Sequence, residues 1–119
     1  MAARQVILVT VVTALAAVFT FLRRVEVHGD SMLPTLRAGD RLLVFRTDRA
    51  RPGRLVVVLD PRRPGHPLVK RVSGVQDAKA FVVGDNPGSS TDSAVFGAVD
   101  IEGRVLYRYH PEHRRGRVS

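Results

Sequence analysis

The chain has 119 residues, no cysteine and a formal net charge of +8, with seventeen arginines and two lysines against eleven acidic residues. This length allows one small domain, with or without a membrane anchor, and excludes two catalytic domains with separate cores. Because cysteine is absent, a disulfide scaffold, a thiol nucleophile and the usual structural zinc site are excluded as well. The basic balance suits an anionic partner such as a lipid headgroup or a nucleic acid, although codon usage alone could produce the same arginine bias.

An uncharged apolar segment, residues 5–22, follows Arg4 near the start of the chain. As an α-helix it would be about 27 Å long, close to the roughly 30 Å hydrocarbon core of a bilayer. Arg23 and Arg24 come next, and such long cationic side chains can reach the lipid–water interface. A cleaved signal peptide and a buried core helix are competing interpretations, but the apolar run extends past the small residues that would suit cleavage. We predict an uncleaved single-pass membrane anchor over residues 1–24.

Short apolar runs separated by glycine, proline and aspartate fill most of the remaining chain. They are β-branched or alternating, which is typical of strands, and no window shows a helical stripe. We predict a mainly β domain over residues 25–109, with its sheet closed on itself to limit exposed edges, and a frayed basic tail over residues 110–119. The predicted strands are Val25–Val27, Leu42–Phe45, Leu55–Leu59, Leu68–Val72, Phe81–Val83 and Val105–Tyr109.

A serine stands where the chain must turn after the first strand, in the segment Gly29-Asp30-Ser31-Met32-Leu33-Pro34-Thr35-Leu36. A serine in such a place is usually a turn or capping residue. His28 is the nearest conventional base, but in a continuing strand its side chain would point away from Ser31. A Ser–His–Asp triad could be assembled here only by assuming the fold.

Lys70 is unusual because this chain supplies nearly all its other cations as arginine. Strand alternation places it on the same face as Leu68 and Val72, with Arg71 on the opposite face. Burial among apolar side chains would lower the lysine pKa from about 10.4 by up to ~3–5 units, so that the free amine could act as a general base. The competing interpretation is that Lys70 extends from an edge strand as one more solvated cation.

Three segments in the same order resemble the motifs of the type I signal peptidases, the serine–lysine endopeptidases of the S26 class. Gly29 to Leu36 looks like their nucleophile motif, and Lys70-Arg71-Val72 looks like their general-base strand. Gly84-Asp85-Asn86, followed by Ser90-Thr91-Asp92-Ser93, resembles their third box. One such motif would be weak, whereas three in order are a specific signal.

This resemblance implies an antiparallel β catalytic domain in which Ser31 is the nucleophile and Lys70 is its general base. Ser90 would hydrogen-bond the lysine amine and orient it, and Asp92 would belong to the polar support of that region. The backbone N–H of Ser31 would contribute to the oxyanion hole.

For substrate binding, the resemblance implies that Met32 lies against the substrate near the scissile bond. Gly84 and Asp85 would form the loop packed beside the active site. The chain departs from the family pattern at Ala94, where many relatives have an arginine, and at Gly29, where some relatives have a serine that donates a second hydrogen bond to the oxyanion.

The expected reaction is endoproteolysis of a precursor protein, which would bind as an extended segment beside a strand and present small side chains to shallow pockets. The resemblance implies neither a cofactor nor a metal, and His110 and His113 in the basic tail are more often solvated than metal-binding. The expected protein is a monomer in a bacterial cell membrane. Five phenylalanines and two tyrosines offer few stacking platforms, which argues against a nucleic-acid partner.

Two alternatives stay open at this point. Signal peptidases place their catalytic domain outside the cytoplasm, but Arg23, Arg24, Arg37 and Arg41 follow the anchor and only Arg4 precedes it, which favours a cytoplasmic domain. A cytoplasmic site would suit the maturation proteases of nickel-type superoxide dismutase, which this chain resembles in its size and its Arg-Pro-Gly turn. The alternative of another class is a non-enzymatic, basic, membrane-tethered binding domain.

Overall fold

The structure is a computed structural model that describes residues 2–89 and 97–119. An N-terminal helix precedes six strands, which form one sheet. The elements are α1 (Ala2–Thr20), β1 (Leu22–Glu26), β2 (Arg41–Arg46), β3 (Leu55–Leu59), β4 (Pro67–Gln76), β5 (Lys79–Val83) and β6 (Ile101–His110). Every predicted strand is therefore present, and the mainly antiparallel β fold is confirmed.

The N-terminal helix is long and apolar enough to cross a membrane, and none of its residues is buried against the domain. It ends at Thr20, earlier than the predicted anchor, because Leu22 already pairs with Phe45 of β2. The strand ladder continues through Arg23 and Arg24, so these two arginines belong to the β domain. The apolar run thus covers both the helix and the first residue of a strand.

The strand order is β1-β2-β6-β3-β4-β5, and every neighbouring pair is antiparallel. β6 is the last strand along the described chain, and it lies between β2 and β3. Within the described ranges β1 and β5 are the two ends of the sheet, so the predicted closure is not seen. Each face of the sheet carries its own apolar cluster.

Strand β3 contributes side chains to both clusters. Its residues alternate between the faces, and four of the five are fully buried, which is why the segment reads as an unbroken apolar run. The first cluster contains Val25, Val27, Met32, Leu36, Leu42, Val44, Leu55, Val57, Val69 and Val105. The second contains Val56, Val58, Val72, Ala80, Val82, Val99 and Ile101.

The basic C-terminal segment is docked on the domain, which differs from the frayed tail expected from its composition. Gly116 pairs with Arg108 of β6, and Val118 packs against the first cluster. Arg114 donates from Nη1 to the carboxylate of Asp40 at 2.7 Å, and Arg108 donates to the same carboxylate at 3.3 Å. Asp40 is only 1% exposed. A buried carboxylate is costly unless cationic partners compensate its charge. The ion pair between Asp40 and Arg114 therefore holds the C-terminal segment against the domain.

Candidate active site

Ser31 lies in the connection between β1 and β2, where the chain folds into successive turns. The N–H of Leu33 donates to the carbonyl of Asp30 at 3.2 Å, and the N–H of Leu36 donates to that of Met32 at 2.9 Å. Met32 and Leu36 are buried in the first cluster, whereas Ser31 is half-buried. The two apolar side chains thus anchor the loop and leave the serine at its surface.

Lys70 lies within β4 and is only 2% exposed. Its neighbours on the same face, Leu68 and Val72, pack in the second cluster, as alternation predicted. Its partner across the ladder is Val56 of β3. This burial excludes the interpretation of Lys70 as a solvated cation, which does describe Lys79, whose side chain is 54% exposed.

One cavity of about 460 Å³ is lined by both Ser31 and Lys70. Its wall comes from the start of the β1–β2 connection, from the loop between β3 and β4, and from β4 itself, with Ser89 completing it. Ser31 and Lys70 are far apart in sequence. The strand order places the two segments around one opening.

The segment Gly84-Asp85-Asn86 packs directly on the serine loop. The backbone N–H of Asn86 donates to the carbonyl of Ser31 at 2.9 Å, and its side-chain Nδ2 donates to the carbonyl of Asp30 at 3.0 Å. Gly84 is buried at the end of β5. The third segment of the resemblance is therefore beside the first, as expected of a loop packed against the site.

The carboxylate of Asp85 accepts hydrogen bonds from β4 and from the serine loop. Arg71 donates to it from Nε at 2.8 Å and from Nη2 at 2.7 Å, and the hydroxyl of Thr35 donates to Oδ2. Arg71 also donates from Nη1 to the carbonyl of Gly53 at 2.8 Å. The hydrogen bonds from Arg71 lower the pKa of Asp85, and those to Asp85 raise the pKa of Arg71. A substrate-binding role for Gly84 and Asp85 stays a prediction.

The other predicted site residues fall in two groups. The side chain of Met32 is 1% exposed and packs in the core, so it offers a substrate no surface in this arrangement. Contact between Met32 and the substrate stays a prediction. Ser90 and Asp92 lie outside the described residues, as does Ala94, and their predicted roles stay predictions too.

His28 was expected to point away from Ser31, but it lines the same cavity. The expectation assumed that the strand continues through His28, whereas β1 ends at Glu26 and alternation does not extend past it. The imidazole Nε2 lies 3.5 Å from the Glu26 carboxylate. No sequence pattern marks where this strand stops, so the position of His28 could not be derived.

The loop of residues 60–66 contributes most of the charge in the cavity wall. Its sequence predicts only a connection between two strands. Asp60 is 4% exposed, and its carboxylate accepts hydrogen bonds from the backbone N–H and the guanidinium of Arg62. The side-chain hydrogen bond from Arg62 lowers the pKa of Asp60. Arg63 and His66 line the cavity beside them. The sequence could have indicated these residues through the predicted strands β3 and β4. The loop of a hairpin between them lies close to Lys70, which is near the start of β4.

Gly29 adopts a left-handed backbone conformation with φ +74° directly before the serine turns. A Cβ built on it would meet no heavy atom within 4 Å, so space is not limiting. L-residues with a side chain rarely adopt this backbone conformation. A glycine rather than a serine at this position therefore suits the left-handed backbone that precedes Ser31.

Comparison with known proteins gives the same assignment as the motifs. The family model described as "Signal peptidase, peptidase S26" matches residues 1–79, which include Ser31 and Lys70. The chain is 36% identical to mitochondrial ATP-independent inner membrane protease subunit 1a of Arabidopsis thaliana, over 72% of this chain and 69% of that protein.

Two further relatives extend the comparison. Subunit 1b of the same Arabidopsis thaliana protease is 34% identical over 71% of this chain and 68% of its own length. Probable signal peptidase I-1 of Synechocystis sp. is 27% identical over 95% of this chain and 84% of its own length. The family match covers well over half of the chain, and it contains the serine loop and the lysine strand. The chain therefore belongs to the S26 signal peptidase family of peptidases.

Proposed function

We propose that this peptidase is a membrane-anchored serine endopeptidase that removes an N-terminal signal peptide or propeptide from a precursor protein. Ser31 is the nucleophile and Lys70 is the general base. The observation that carries the proposal is the shared cavity, because its wall contains the serine turn and a lysine that is only 2% exposed. The family assignment supports peptide-bond hydrolysis, and the motif order supports these two residues.

The chemistry follows from the environment of the two side chains. Lys70 is 2% exposed, and its neighbours on the same face of β4, Leu68 and Val72, pack in the second apolar cluster. Burial disfavours an ammonium relative to a neutral amine. The neutral amine takes the proton of the Ser31 hydroxyl while Oγ attacks the scissile carbonyl carbon. The resulting ammonium gives this proton to the leaving nitrogen, so the C–N bond breaks, the amine product departs and the ester of an acyl-enzyme remains. Lys70, neutral again, takes a proton from a water molecule that attacks the ester, and returns it to Ser31 Oγ as the carboxylic acid product leaves.

Arginine could not replace Lys70 in this scheme, since a guanidinium stays protonated in proteins. This requirement explains why one of only two lysines in a chain with seventeen arginines is buried in β4. The other lysine, Lys79, lies exposed at the start of β5. The chain therefore contains its own matched control for a lysine-to-arginine exchange.

Anchoring by α1 would place the peptidase where membrane-targeted precursors are found. The helix has the length and composition for a bilayer, and relatives are named as inner membrane proteases. A precursor would bind as an extended segment hydrogen-bonded beside a strand, with small side chains next to the scissile bond.

The test is cleavage of a purified preprotein with an Ala-x-Ala site by the full-length chain in detergent micelles. Ser31→Ala should abolish cleavage, and Lys70→Arg should lower its rate by about 10²–10⁴-fold, the range for loss of a general base. Lys79→Arg should cleave like the wild type. Circular dichroism and urea unfolding would establish that each variant is folded. Near-normal turnover by folded Lys70→Arg would contradict the role of the lysine as base.

A further inference from the structure

A second cavity, of about 680 Å³, lies away from the serine and lysine and is called the basic groove. Its exposed apolar lining comes from Phe45 and Val75, which are 36% and 48% exposed, and buried residues of the second cluster lie among the other lining residues. Its wall carries five cationic side chains, namely Arg49, Arg51, Arg54, Lys79 and Arg104. The groove therefore combines a hydrocarbon surface with a strongly positive rim.

The positive charge of the basic groove is poorly neutralised. Asp48 is the single acidic residue among those that line it. Among the described residues, Lys79 is the one groove cation with an ion pair, a 3.7 Å contact to exposed Asp100. The cavity lined by Ser31 and Lys70, named the catalytic cavity after its proposed role, is different. Asp30 and Asp60 lie in its wall and offset the charge of its cations. A site with this charge attracts an anion.

One edge of the groove adjoins the residue that follows α1. Phe45 lines it and stacks on Phe21, the residue that follows α1, with 5.9 Å between the ring centroids. The backbone N–H of Arg46 donates to the carbonyl of Phe21 at 2.7 Å, which fixes the end of β2 beside the helix. With α1 in a bilayer, this edge of the groove lies close to the headgroup layer.

We propose that the basic groove binds an anionic phospholipid, with the headgroup phosphate among the arginine guanidinium groups and the apolar part of the lipid against Phe45 and Val75. A membrane source is favoured over an acidic peptide because the groove adjoins the membrane helix and exposes these two apolar side chains. The inference rests on the membrane anchor in the proposed function but not on the catalytic residues.

Lipid binding at this place would orient the catalytic cavity. β3 runs from Val56 in the groove to its end at Leu59, and Asp60, the next residue, lines the catalytic cavity. A headgroup held at one end of this strand would therefore fix the tilt of the domain on the bilayer. The tilt decides how far the serine loop lies from the membrane surface.

The experiment titrates the purified full-length chain, in neutral detergent micelles, with short-chain phosphatidylglycerol and follows binding by calorimetry. Parallel arms use short-chain phosphatidylcholine, inorganic phosphate and an oligoglutamate peptide. Phosphatidylglycerol should bind at least about tenfold more tightly than each of the others. The triple variant Arg49→Gln, Arg51→Gln, Arg54→Gln should weaken phosphatidylglycerol binding at least about tenfold.

A matched control removes the same charge elsewhere, at the exposed residues Arg37, Arg115 and Arg117. The control with glutamine at all three should bind phosphatidylglycerol within about twofold of the wild type. Equal losses in both triple variants would overturn the proposal, because net charge alone would explain binding. Equal or tighter binding of phosphatidylcholine, phosphate or oligoglutamate would overturn it too. Lys70→Arg should bind lipid normally, which separates this test from that of catalysis.

Discussion

Asp85 and Arg71 form a two-point ion pair, with Nη2 to Oδ2 at 2.7 Å and Nε to Oδ1 at 2.8 Å. The pair joins the loop after β5 to the strand that carries Lys70. The same carboxylate accepts the hydroxyl of Thr35, which belongs to the serine loop. One carboxylate thus connects the serine loop, β4 and the loop after β5, which contribute Ser31, Lys70 and Ser89 to the wall of the cavity.

Asp85→Asn should lower both stability and activity. An amide cannot accept the paired guanidinium bonds as a carboxylate does, and losing charge-assisted bonds of this kind costs about 1.5–3 kcal/mol of unfolding free energy. Preprotein cleavage should fall with it, because the serine loop loses its tie through Thr35. Urea unfolding and the cleavage assay measure the two effects. Asp77→Asn in the exposed β4–β5 turn is the control, and an unchanged stability of Asp85→Asn would contradict this account.

Acid should destabilise the protein through Asp60 and Asp85, because arginine partners lower the pKa of both carboxyls in the folded state. A lowered folded pKa adds stability that is complete above the unfolded value of about 3.9 and is lost as pH falls through the folded value. Urea midpoints measured from about pH 6 to about pH 2 should therefore decline at the acid end. Asp85→Asn should decline less steeply. An equal slope in this variant would show that Asp85 does not contribute.

Arg114→Ala should release the C-terminal segment from the domain. Asp40 would keep the backbone N–H of Arg37 at 2.9 Å, but its one remaining cationic partner would be Arg108 at 3.3 Å, so the charge of a buried carboxylate would be poorly compensated. The expected loss is about 1.5–3 kcal/mol of unfolding free energy, measured by urea denaturation. Arg115→Ala, at an exposed neighbouring position, should change it by less than about 0.5 kcal/mol. Similar values for the two variants would mean that the tail is not held by Asp40.

Gly103→Ala should destabilise the centre of the sheet. A Cβ at this position of β6 would lie 2.4 Å from Cγ1 of Val44 and 3.0 Å from the carbonyl oxygen of Phe45. Both neighbours lie on β2, whose register with β6 shifts between Leu43 and Val44. Relieving the clash requires movement of the strand, at a cost of about 1–3 kcal/mol. A thermal melt measures it, with Gly74→Ala as the uncrowded control, and equal melting temperatures would refute the clash.

Gly29→Ser tests the backbone that presents Ser31. The serine would have room, but its φ of +74° costs an L-residue roughly 1 kcal/mol or more. Gly29→Asn should cost less, since asparagine tolerates the left-handed region better. Unfolding free energies of the two variants give the comparison. A serine variant as stable as the wild type would show that the turn accepts a side chain without strain.

Local sequence determined the strands and the face of the sheet that Lys70 occupies. β-branched runs such as Leu55–Leu59 specify strands by their own preferences, and the period of two specifies which side chains share a face. The motif order also identified Ser31 and Lys70 as the candidate pair. These conclusions needed no knowledge of which strands are neighbours.

Tertiary structure alone decided what lies around that pair and where the arginines meet. His28 and the loop of residues 60–66 reach the catalytic cavity because β1 stops at Glu26 and β3 pairs with β4. The arginines are scattered along the chain, yet Arg104 lies with Arg49, Arg51 and Arg54 in one groove because β6 returns between β2 and β3. Such contacts join residues that are distant in sequence, so strand order and register, which local propensity does not encode, determine them.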